Sequence, residues 1–85
     1  MTTTEDQSTV IEASQDVDCR GLLCPLPVLE VEKALAALSA GEILRVVCTD
    51  PASAVDMAAL CVRSAHRLLR AVRAGEEHTF WIEKG

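Results

Sequence analysis

The sequence predicts an α+β domain in which two helices cover one face of a four-stranded mixed sheet, a two-layer α/β sandwich of order βαβαββ. Three observations carry this. Two apolar stripes of helical period are each preceded by a short strand-like run, the chain ends in two further β-branched or aromatic runs around a glycine, and aliphatic residues dominate throughout. At 85 residues there is room for one domain, and a core is sufficient only if most of the chain joins it.

Residues 1–14 are polar, acidic and rich in Thr and Ser, without apolar period, and read as a flexible acidic tail ahead of a folded unit at 15–85. Asp16-Val17-Asp18-Cys19 alternates as a short strand, and Gly21 supplies a bend before Cys24. From Val28 the apolar positions Val28, Val31, Leu35 and Leu38 recur at spacings of three and four, which predicts a helix from about Pro25 to Ser39. Both prolines suit its first turn, and Gly41 follows its end.

Ile43 to Thr49 is a β-branched run whose Leu44, Val46 and Cys48 share one face, as expected of a central strand. Asp50-Pro51 reads as an N-cap with a first-turn proline. It opens a second helix to about Ala65, with Val55, Ala58, Ala59 and Val62 expected to point inward. Leu68 to Val72 and His78 to Glu83 complete a hairpin through Ala74-Gly75-Glu76, and Trp81 is expected on the opposite face from Phe80 and Ile82.

Charge and composition narrow the function. The net charge of −5 comes from the first 18 residues, which hold five carboxylates and no Lys or Arg, whereas eight acidic and eight basic residues balance from Cys19 onward. Phe80 and Trp81 are the only aromatic residues, so base stacking has little to work with and direct nucleic-acid binding is not expected. Arg63, Arg67, Arg70 and Arg73 form a basic run that fits either an acidic partner or a solvated surface. The first residues lack the basic and apolar regions of a secretory signal, and no stretch approaches membrane-spanning length, which points to the cytoplasm. Cys19, Cys24, Cys48 and Cys61 are then expected as free thiols.

Of these, Cys24 is the candidate for chemistry, because it stands where a strand gives way to a helix. A helix N-terminus favours the reactive thiolate, and a surface thiolate without a neighbouring base suits sulfur exchange better than hydrolysis. Cys48 and Cys61 read as small buried hydrophobes, and Cys19 as either an inward strand residue or a resolving thiol. No Cys-x-x-Cys pair occurs, so no metal site is expected, and His66 and His78 have no neighbour that suggests a triad.

The run Asp18-Cys-Arg-Gly-Leu-Leu-Cys24-Pro-Leu-Pro27-Val-Leu resembles the signature of the TusA/SirA family of sulfur carriers. The resemblance continues through Gly41-Glu42, Cys48-Thr-Asp50-Pro51, Asp56, Cys61 and His66-Arg-Leu68 to the terminal Ile82-Glu-Lys-Gly, over residues 15–85. It implies the same sandwich and a persulfide carried on Cys24. The sulfur would come from a protein donor such as a cysteine desulfurase or rhodanese and pass to a protein acceptor in tRNA thiolation, molybdenum-cofactor biosynthesis or sulfur oxidation. No cofactor is implied, and a carrier that docks on two partners in turn is expected as a monomer. Ala65, Arg67 and Leu26 depart from residues frequent in that family, which bears on partner choice. The alternatives are a thiol redox protein or regulator using Cys24 with Cys19, and an interaction module with structural cysteines.

Overall fold

A computed structural model describes residues 11–85. The element order is β1 (Gln15–Cys19), α1 (Leu26–Ala36), β2 (Ile43–Cys48), α2 (Ser53–Arg63), β3 (Arg67–Ala74) and β4 (Glu77–Glu83). The strands form one sheet in the order β1-β2-β4-β3, with β1 parallel to β2 and the other pairs antiparallel, so the mixed sheet and the βαβαββ order stand as expected. The expectation of a tail over 1–14 falls largely outside the described residues. Within reach, residues 11–13 form no helix or strand, and the Ser14 amide already donates to Ile43 O at 2.7 Å.

Alternation decides which side of the sheet is dry. Cys19, Leu44, Val46, Cys48, Phe80 and Ile82 project to one face and join Val31 and Leu35 of α1 and Met57, Leu60 and Cys61 of α2 in a single buried cluster. Both helices therefore lie on that face. The opposite face is polar: Arg45 pairs with Asp16, and the Arg70 guanidinium lies 5.7 Å from the ring centre of a half-buried Trp81.

The inward face of α2 is a correction. Val55, Ala58, Ala59 and Val62 are all exposed, Val55 at 74% and Val62 at 85%, while Ser53, Met57, Leu60 and Cys61 are buried. Both sets recur at helical spacing, and the sheet chooses the one with the larger side chains because Met57 and Leu60 bury more apolar area than alanines can. A second correction concerns the helix starts and stops. Ala52, not Asp50, is the N-cap of α2. α1 ends at Ala36, after which the Ala37 and Leu38 amides tighten onto Ala34 O and Leu35 O. The Lys84 ammonium then donates to Leu35 O at 2.6 Å and Leu38 O at 3.2 Å, placing a cation on the negative end of that helix. The basic run is also dispersed: Arg63 pairs with Glu32, Arg67 with Glu83, and Arg73 donates to Gly75 O.

Candidate functional site

Because β1 and β2 are parallel neighbours with Cys19 opposite Cys48, their C-terminal ends emerge side by side. Each is followed by a loop and a helix, so the starts of α1 and α2 are brought together at one edge of the sheet, the usual place for a site in such layers. Cys24 sits there, in the loop between β1 and α1, and it alone of the four cysteines is exposed. The loop turns at Gly21, whose φ of +81° lies in the left-handed region that disfavours a side chain. Gly21 N donates to Thr49 Oγ1 at 2.9 Å, and Cys24 N donates to Asp50 Oδ2 at 2.7 Å. The other Asp50 oxygen, Oδ1, accepts from Ala52 N at 3.1 Å. A single carboxylate, 9% exposed, therefore ties the cysteine loop to the start of α2.

The expectation that a helix N-terminus would favour the Cys24 thiolate is overturned. The thiol is pushed up from its ordinary value, first because it donates a hydrogen bond to the Asp56 carboxylate, then through partial loss of water, then through the negative charges of Asp56 and Asp50. The helix start offers little in return. Pro25 and Pro27 have no amide hydrogen, and the Leu26 amide is taken by Leu23 O at 2.9 Å. Neither carboxylate was assigned this role from sequence; Asp50-Pro51 signalled a helix start, but nothing in the spacing says that a group 26 residues on grips the cysteine.

The remaining thiols are placed as core. Cys19, Cys48 and Cys61 are buried, and burial pushes all three up, Cys48 to about 12. Cys19 faces Cys48 across the two strands and hydrogen-bonds with it, inside the layer rather than at the surface where Cys24 lies. His66 Nδ1 accepts from Gly85 N at 3.0 Å, a chain-end contact. Among the described residues no three His, Cys, Asp or Glu side chains converge to hold a metal ion, and no helix is long and apolar enough to cross a membrane. Around Cys24 the surface is apolar: Leu23 is 68% exposed, and Leu26 and Leu29 in the first turns of α1 are also exposed.

Comparison with known proteins agrees with this arrangement. The family model described as sulfurtransferase TusA matches residues 15–84. The chain is 39% identical over 70 residues to the sulfur carrier protein TusA of Allochromatium vinosum, covering 82% of this chain and 92% of that protein. It is 35% identical over 75 residues to the putative sulfur carrier protein YrkI of Bacillus subtilis, covering 88% and 100%. The fold matches the crystal structure of a SirA-like protein from Desulfitobacterium hafniense with a TM-score of 0.74 at 23% identity, over 84% of this chain and 97% of that one. The chain belongs to the TusA family of sulfur carriers.

Proposed function

We propose that this chain carries sulfane sulfur as a persulfide on Cys24, taking it from a protein donor of the cysteine desulfurase or rhodanese type. A protein acceptor in tRNA thiolation, molybdenum-cofactor biosynthesis or sulfur oxidation then receives it. The observation that supports this most is that Cys24 alone of four cysteines is exposed, at an edge where two helix starts meet. In the transfer the Cys24 sulfur attacks the outer sulfur of the donor persulfide. The donor S–S bond breaks, a new S–S bond forms on Cys24, and the proton of the Cys24 thiol ends on the donor thiol, with no net oxidation. Leu23, Leu26 and Leu29 give the docking partner apolar surface beside the sulfur. In this reading residues 15–85 are the carrier domain, acting as a cytoplasmic monomer without a cofactor.

Intact-protein mass after exposure to a persulfide donor, with peptide mapping, tests it. The wild-type chain gains one sulfur atom, removable by reductant, on Cys24, and Cys24→Ser gains none. Cys19→Ala, Cys48→Ala and Cys61→Ala still load wherever they fold. Loading of Cys24→Ser, or a loss of two hydrogens in place of a gain of sulfur, would refute the reading; the latter would favour redox chemistry of Cys24 with Cys19.

A further inference from the structure

We propose that Asp56 sets how firmly Cys24 holds its sulfur, destabilising the loaded form and so favouring delivery to the acceptor. The inference rests on the sulfur-carrier reading and adds to it a residue that governs the balance between loaded and unloaded protein.

The argument starts from where charge goes. A persulfide is a stronger acid than its parent thiol, so near neutral pH the exchange converts Cys24–SH and donor–S–S⁻ into Cys24–S–S⁻ and donor–SH. The negative charge arrives on this chain together with the sulfur. The groups that face it are carboxylates. Asp56, in the first turn of α2, accepts a hydrogen bond from the Cys24 thiol, and Asp50, in the loop ahead of α2, holds the Cys24 amide at 2.7 Å. The charged side chains of α1 are engaged elsewhere, Glu30 with Lys33 and Glu32 with Arg63. In the unloaded protein the thiol is a donor to Asp56, which is favourable. In the loaded protein that donor is gone and two like charges stand together, so both effects oppose loading. Asp50 is partly neutralised by the Cys24 and Ala52 amides that it accepts. Asp56 is therefore the residue to change.

The test uses the full chain as wild type, Asp56→Asn and Asp56→Glu, each brought to equilibrium with glutathione persulfide and glutathione at a fixed ratio and read by intact mass. At neutral pH Asp56→Asn raises the ratio of loaded to unloaded protein by roughly threefold to tenfold, the effect of one charge a few ångströms away in water. Asp56→Glu returns it toward wild type. The gain fades as pH falls toward the carboxylate range near about 4. A second measurement, the pH profile of Cys24 alkylation by iodoacetamide, does not involve sulfur transfer, and its midpoint falls in Asp56→Asn. A folded Asp56→Asn protein whose loaded ratio equals or falls below that of wild type would overturn the inference while leaving the carrier reading intact. Failure of the wild type to load at all would remove both, and the alkylation profile would still show whether Asp56 acts on the thiol.

Discussion

Replacing Asp50 should unfasten the cysteine loop from the second helix, and the cost can be worked from its hydrogen bonds. Its carboxylate accepts from Cys24 N at 2.7 Å and from Ala52 N at 3.1 Å, and the residue is nearly buried. Charge-assisted hydrogen bonds contribute about 1.5–3 kcal/mol each. Cys24 itself is exposed, so water can reach its freed amide, and the lower figure applies to each bond. Asp50→Ala is then expected to cost about 3 kcal/mol. Asp50→Asn keeps one acceptor oxygen but turns an amide group toward the other N–H, and should cost about half as much. For a domain of this size that is a drop in Tm of roughly 12–24 °C for alanine and about half that for asparagine. Thermal melts followed by circular dichroism, together with urea midpoints at unchanged m-value, measure it. The Cys24 alkylation midpoint should fall in both variants, since each removes a negative charge beside the thiol. An Asp50→Ala protein that melts within about 3 °C of wild type would refute the reasoning, because a carboxylate doing what the geometry indicates cannot be removed that cheaply.

Two further outcomes follow from backbone and burial. Ala65 has φ 61° just past the end of α2, where His66 N closes onto Cys61 O at 3.0 Å, a helix stop that glycine suits better. Relief of about 1–2 kcal/mol of left-handed strain, less about 0.4–1 kcal/mol for the freer unfolded chain, predicts that Ala65→Gly gains about 0.5–1 kcal/mol; a Tm at or below wild type would show the strain is not there. Burial raises the Cys19, Cys48 and Cys61 thiols above their unfolded values, so the stability they confer is complete below about pH 8.5 and is lost as pH rises, for Cys48 up to about 12. Urea midpoints should be level near neutral pH and decline above about pH 9, and a midpoint that climbs from pH 8 to 10 would contradict this sign.

What the sequence by itself determined was everything local in character. The order of strands and helices, the stripe of Val31 and Leu35, the alternation of Leu44, Val46 and Cys48, the hairpin at Gly75 and the exposed cysteine at a strand-to-helix junction each depend on residues within a few positions of one another. Family resemblance, carried by the run around Cys24, was legible for the same reason. Tertiary structure decided the rest. Period alone gives a helix a stripe but not a rotation, so Val55 and Val62 competed on equal terms with Met57 and Leu60 until the sheet selected the bulkier pair. The electrostatics of Cys24 reversed sign for a related reason: the helix start lies within its own segment, whereas Asp50 and Asp56 reach it only because two parallel strands end side by side. A thiol responds to charges by distance in space, and those distances are set by which strands pair.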